Sequence, residues 1–236
     1  MSEGKVAVIV GGGSGIGAAC VRELASSGYR VAVMSPSGRG AALAKELGGV
    51  GIEGSNTSVA DLTALVDLAV AEYGRVDAVV NSSGHGAKGT VLEIGDDDWA
   101  AGMDLYLLNV VRMARIVTPH LVGAGGGSIV NISTSGAYEP NPAFPVSVTF
   151  RAALGAFTKL YADEYGPHGI RINNVLPGWT KEDPSSVPAQ WTESIPLRRT
   201  QSTAEVAKLV RFLASDEAGY ITGQNIRADG GSTRHV

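Results

Sequence analysis

Gly11-Gly12-Gly13-Ser14-Gly15-Ile16-Gly17 is the stretch that most narrows the folds open to this chain. It stands directly behind a short apolar run, Lys5–Val10 (KVAVIV), and directly ahead of apolar residues at helical spacing, Ile16, Cys20 and Leu24. A buried strand, a glycine turn and a helix in that order make the first half of a βαβ unit. Glycine lets the backbone turn tightly, and the helix behind it offers unpaired N–H groups and about half a positive charge to a phosphate. The arrangement therefore points to a phosphate-bearing ligand; a tight turn with no ligand is the plainer alternative.

The strand–turn–helix order repeats along the chain. Arg30–Met34, Val50–Gly54, Val76–Asn81, Ser128–Ser133, Ile170–Val175 and Gln224–Ala228 read as further strands. Apolar spacing predicts helices over Gly15–Ser27, Ala41–Leu47, Val59–Tyr73, Pro145–Tyr165 and Thr203–Ser215, and one long helix over Asp96–Val122. Strands alternating with helices predict an α/β chain with a doubly wound parallel sheet of about seven strands, flanked by helices on both faces. No linker or repeat divides the chain, so one domain is expected over 1–236. Within it, 178–200 lacks a period and carries Trp179, Pro184, Pro188 and Trp191, as a substrate lid would.

Composition excludes several classes of function. The net charge is −4, which disfavours a nucleic-acid surface. One cysteine, Cys20, rules out an internal disulfide framework and reads as a small buried apolar residue. No run of about 18 apolar residues suggests a membrane span, and no leader is evident in Met1–Val10, so a cytoplasmic protein is expected. No spacing of His, Asp and Glu suggests a metal site, and no serine-hydrolase triad is present. Glycine is 32 of 236 residues, about twice the usual share, and belongs at defined turns.

Taken together, the motifs resemble the short-chain dehydrogenase/reductase family over nearly the whole length. Gly11, Gly15 and Gly17 fit its Gly-x-x-x-Gly-x-Gly turn, with Val10 where threonine is usual. Asn81-Ser82-Ser83-Gly84 stands at its Asn-Asn-Ala-Gly, Pro177-Gly178 at its Pro-Gly, and Asp229-Gly230-Gly231 at its C-terminal signature. The resemblance implies a single-domain Rossmann-like fold, an NAD or NADP coenzyme, and hydride transfer to or from a small carbonyl or alcohol. It places coenzyme contacts at Gly11, Ser14, Gly15, Ile16, Gly17, Ser35, Arg39, Asn56, Asn81, Gly84, Arg151, Pro177 and Gly178. It also implies a homotetramer or homodimer acting on a small molecule. The position after the second strand, where an acid would hold a ribose hydroxyl, is Ser35; with Ser37 and Arg39 nearby this tilts the coenzyme to NADP.

The family's catalytic residues are replaced at every position. Its serine corresponds to Thr134, its tyrosine to Ser147, its lysine to Arg151 and its asparagine to Tyr106. Thr134 keeps a hydroxyl and Arg151 a positive charge, but an arginine cannot release its proton at working pH. Ser147 without an activating base is a poor acid. Tyr106 is a candidate phenol from the opposite wall, with Arg151 stabilising its ionised form; a core or pocket-lining aromatic is the other reading. His85 and Tyr138 are weaker polar candidates, and Asn109 reads as a backbone partner. Trp179, Trp191 and Ile195 suggest a partly apolar substrate pocket, and Glu182, Asp183 and Glu193 disfavour a highly anionic ligand there. The alternatives to an oxidoreductase are a coenzyme-binding sensor or partner subunit with impaired catalysis, and a non-redox reaction on the same scaffold.

Overall fold

The computed structural model describes residues 4–234; the outermost positions of the domain expected over 1–236 lie outside the described residues. Its strands are β1 (Val6–Val10), β2 (Arg30–Ser35), β3 (Val50–Glu53), β4 (Ala78–Asn81), β5 (Gly127–Ile132), β6 (Ile170–Pro177), β7 (Thr180–Lys181), β8 (Gln201–Ser202) and β9 (Gln224–Ala228). Its helices are α1 (Gly15–Ser26), α2 (Arg39–Glu46), α3 (Val59–Tyr73), α4 (Asp96–Met103), α5 (Asn109–Gly123), α6 (Pro145–Tyr165) and α7 (Thr203–Ala214).

Seven strands form one parallel sheet in the order β3-β2-β1-β4-β5-β6-β9. Side chains alternate between the faces of a strand, and β1 shows the consequence directly. Ala7 and Ile9 join a core with Cys20 and Leu24 of α1, Leu43 of α2 and Val210 of α7. Val6, Val8 and Val10 join the opposite core, with Leu65 of α3, Met113 of α5 and Tyr161 of α6. Both faces of the sheet are thus covered, which is why its strands read as continuous apolar runs. Cys20 lies fully buried in the first core, and burial pushes its thiol up to about 12.

The strand order reverses between β1 and β4, which opens a crevice at their carboxyl ends. The glycine turn sits in that crevice.

Two segments differ from the sequence reading. The long helix expected over Asp96–Val122 is continuous from Asp96 to Gly123, but its α-helical bonding is interrupted by a π turn at Asp104–Leu108, with Tyr106 at its centre. The break coincides with a close helix crossing: a Cβ on Gly102 would lie 2.0 Å from Val146 of α6, and Trp99 meets Phe150 edge-on at 6.0 Å. The segment expected to be an irregular lid is tied at its stem by a two-stranded parallel sheet, Thr180 opposite Gln201 and Lys181 opposite Ser202, with 3-10 turns at Pro184–Ser186 and Ala189–Thr192. Prolines and tryptophans hid this pairing, since neither strand exceeds two residues. Among the described residues no helix is long and apolar enough to cross a membrane.

Candidate active site

The glycine turn is shaped by close backbone approach. A Cβ on Gly17 would lie 2.1 Å from the Gly11 carbonyl oxygen, and one on Gly11 would lie 2.3 Å from that of Ser82 behind β4. Gly11 also has φ +76°, a conformation side chains disfavour. These contacts leave space in front of α1: a Cβ on Gly15 or Gly84 would meet nothing within 4 Å. The Ser14 hydroxyl makes no capping bond to the α1 amides, so the first-turn donors are left for a ligand. Ile16 is half-buried and packs against the core behind the turn.

The buried polar atoms agree with this. The Asn56 amide nitrogen, behind β3, is buried without a hydrogen-bond partner, as are Ser133 Oγ and Arg151 Nε. An unpaired buried donor costs about 1–3 kcal/mol, which an acceptor on a ligand beside Asn56 would remove; Tyr73 Oη and Thr200 Oγ1 are likewise unpaired, away from the turn. The open cradle and the orphaned Asn56 donor both fit a dinucleotide.

Other expected contacts are arranged differently. The Ser35 hydroxyl is buried and accepts from the Gly40 amide at 2.8 Å, so it holds the start of α2 and is not presented at the rim. Arg39 is exposed, opens α2 and donates to Ser37 Oγ at 3.1 Å. Asn81 is turned into the sheet, where its amide donates to Asn131 Oδ1 at 2.9 Å. Pro177 is buried at the end of β6, and Gly178 donates to the Ala228 carbonyl at 3.0 Å. A Cβ on Gly178 would come within 2.8 Å of Asp229 Cα, which explains the glycine opposite the Asp229-Gly230-Gly231 turn.

Around the positions that the family resemblance assigns to catalysis, the structure brings Tyr106 and Arg151 together. The Arg151 carbon Cζ lies 4.8 Å from the Tyr106 ring centre. Its two terminal nitrogens donate to the Ile132 carbonyl and, at 3.0 Å, to Ser83 Oγ. Burial pushes the guanidinium down to about 10, against the pull of Tyr106, so it remains a cation at neutral pH. The Tyr106 hydroxyl accepts from the Gly86 amide and thereby ties the 84–95 loop to the π turn. A Cβ on Gly86 would lie 3.1 Å from that hydroxyl, so a glycine fits there. Ile94 and Val146 complete a small apolar cluster around Tyr106.

Thr134 Oγ1 accepts from the Gly136 amide at 3.3 Å, capping a short turn after β5. Ser147 is half-buried, one helical turn ahead of Arg151 on the same face of α6. His85 is exposed. Tyr138 is 39% exposed and carries the Arg227 guanidinium over its ring. Asn109 Oδ1 accepts from the Val110 amide at 2.7 Å, a backbone partner as expected. In the 178–200 segment, Trp179 and Trp191 stack on each other at 5.9 Å, while Ile195 is buried. Ile195 therefore anchors this segment to the body of the domain.

Sequence reasoning missed Ser83, Gly86 and the Ile132 carbonyl, which hold the two central residues in place. It also missed a row of asparagines, Asn81, Asn131, Asn174 and Asn225, paired across four neighbouring strands. An asparagine at the matching position of successive strands was a visible signal, but only once the register was known.

Residues 11–233 match the family model described as enoyl-(acyl carrier protein) reductase. The chain belongs to the short-chain dehydrogenase/reductase family. It is 32% identical to oxidoreductase UcpA of Escherichia coli K12, over 98% of this chain and 95% of that protein. It is 33% identical to the 3-oxoacyl-[acyl-carrier-protein] reductase FabG of Thermotoga maritima, over 97% and 98%. A solved short-chain dehydrogenase/reductase from Mycobacterium ulcerans superposes with a TM-score of 0.90 at 27% identity, covering 98% of this chain and 90% of that one. Short-chain dehydrogenase/reductases are oxidoreductases that generally bind NAD(P) and act on small molecules.

Proposed function

We propose that this short-chain dehydrogenase/reductase binds NADP(H) in preference to NAD(H) and reduces a small carbonyl compound, or oxidises the matching alcohol, with a rearranged polar set. The observation that carries the reading is the buried, permanently charged Arg151, held over Tyr106 beside the carboxyl ends of β4 and β5. The coenzyme supplies the hydride chemistry when bound. Gly11, Gly15, Gly17 and the α1 amides hold its diphosphate, Asn56 offers a donor to its adenine half, and Ser37 and Arg39 take the 2′-phosphate. Thr134 donates to the substrate oxygen, Arg151 stabilises the negative charge that develops there, and Tyr106 supplies the proton. The stem sheet at Thr180–Lys181 and Gln201–Ser202 carries the lid over the substrate.

A second reading is favoured by one observation: Tyr106 is 3% exposed and its hydroxyl is committed to Gly86. In that reading Tyr106 is a platform for Arg151, and the protein binds coenzyme without turnover. A panel of aldehydes and ketones, followed by loss of NADPH absorbance, separates the two. Turnover on any member that Tyr106→Phe lowers by about a hundredfold supports the enzyme. Tight coenzyme binding with no turnover across the panel supports the sensor.

A further inference from the structure

The stretch behind β4 is pinned at three points. The Ser82 amide donates to the Val10 carbonyl at 3.1 Å, and a Cβ on Gly11 would lie 2.3 Å from the Ser82 carbonyl oxygen, so the stretch lies against the glycine turn. Ser83 Oγ accepts from a terminal nitrogen of Arg151 at 3.0 Å. The Gly86 amide donates to the Tyr106 hydroxyl. Between these points the chain is open: Ser83 is half-buried, Gly84 is exposed, and a Cβ on Gly84 would meet nothing within 4 Å.

Arg151 itself has little left to offer a ligand. It is 7% exposed, its two terminal nitrogens are engaged by Ile132 and Ser83, and the Tyr106 ring covers one side of the guanidinium. Ser83 is different. A serine hydroxyl has one proton and two lone pairs. One lone pair takes the Arg151 N–H, and among the described residues the proton has no acceptor. A hydroxyl that accepts from a cation becomes a better donor. Ser83 thus presents a strengthened donor and one spare acceptor beside the cradle, which is the complement of a sugar hydroxyl.

We propose that Ser83 binds the nicotinamide ribose of the coenzyme through its side-chain hydroxyl. Its position favours that sugar over the other. With the diphosphate on the glycine turn behind β1 and the adenine half at Asn56 behind β3, the rest of the dinucleotide runs towards the next strand, β4. Ser83 is the first side chain there that is neither turned into the sheet, as Asn81 is, nor buried, as Ser82 is. The contact belongs to Ser83, and Arg151 stands behind it, holding the hydroxyl. This rests on the coenzyme-binding part of the reading above and needs no turnover.

The test is calorimetric titration of wild type and Ser83→Ala with three ligands. They are NADPH, 2′-phospho-ADP-ribose, which keeps the second ribose but lacks nicotinamide, and 2′-phospho-ADP, which lacks both. Each is run beside its counterpart without the 2′-phosphate, and the result is read on whichever series binds more tightly. Ser83→Ala is expected to bind the first two about tenfold more weakly and the third within about twofold of wild type. A merely structural role would not give that selective loss, and binding of the third ligand shows that the variant is folded. Unchanged affinity for the full coenzyme in Ser83→Ala overturns the proposal, as does an equal loss on all three ligands. So does wild type that binds the second ligand no more tightly than the third, a result that needs no variant. Each of these leaves the coenzyme reading standing, whereas folded wild type that binds neither NADPH nor NADH removes both.

Discussion

The Arg151 guanidinium sits over the Tyr106 ring, 4.8 Å from its centre, and among the described residues no carboxylate shares its hydrogen bonds. A buried cation without an acid needs other compensation, and here it comes from a π face, a backbone carbonyl and a serine hydroxyl. The two residues are best understood as one unit. Arginine at 151 needs a ring at 106, and the ring needs a glycine at 86.

Lysine at 151 is therefore not a conservative change. Its point charge cannot reach the Ile132 carbonyl and Ser83 together. Arg151→Lys is expected to lower stability by about 2–3 kcal/mol in urea unfolding at neutral pH. A loss below a few tenths would mean that the fork contributes nothing.

Tyr106→Phe keeps the ring under Arg151 and removes the hydroxyl, and with it the acceptor of the Gly86 amide. About 1–2 kcal/mol of stability should be lost, with amide exchange of Gly86 accelerated. Unchanged exchange would show that the hydroxyl does not hold the loop.

The asparagine row offers a graded test. Asn131→Leu strands the Asn81 donor in a buried strand and should cost about 2–3 kcal/mol. Thr158→Val leaves Asn174 Oδ1 its bond from Asn131, so about 1 kcal/mol is expected. The reverse order in thermal unfolding would contradict a continuous row.

Acid should loosen the start of α7. Arg199, helped by the Ser202 amide, holds the Glu205 carboxyl down at about 2, against 4.5 when unperturbed. Because the folded value is the lower one, this stabilisation is present above about pH 4.5 and is lost as pH falls towards 2. The Glu205 side chain is 38% exposed, so screening reduces the effect to about 1 kcal/mol. Melting curves of wild type and Glu205→Gln should converge between those pH values; parallel curves would contradict the assignment.

The fold was legible because each strand is buried on both faces and each helix has one apolar stripe, as in Val6–Val10 and Val59–Tyr73. The tight glycine turn was legible because close backbone contact at Gly11 and Gly17 demands glycine. The π turn was not, since Trp99, Met103 and Tyr106 keep a helical spacing across it. Nor was the inward turn of Ser35 and Asn81, because a polar residue at a strand end reads the same whether it faces a ligand or a neighbouring strand. The partners of Arg151 were hidden for a related reason: a carbonyl at Ile132 leaves no mark in the amino-acid code.

Calorimetric titration of the purified protein with NADPH and with NADH bears most directly on the whole interpretation. Saturable binding is expected, tighter for NADPH, and it should vanish in Gly17→Ala, whose added methyl would lie 2.1 Å from the Gly11 carbonyl oxygen. No heat with either nucleotide, from folded wild-type protein, would contradict it.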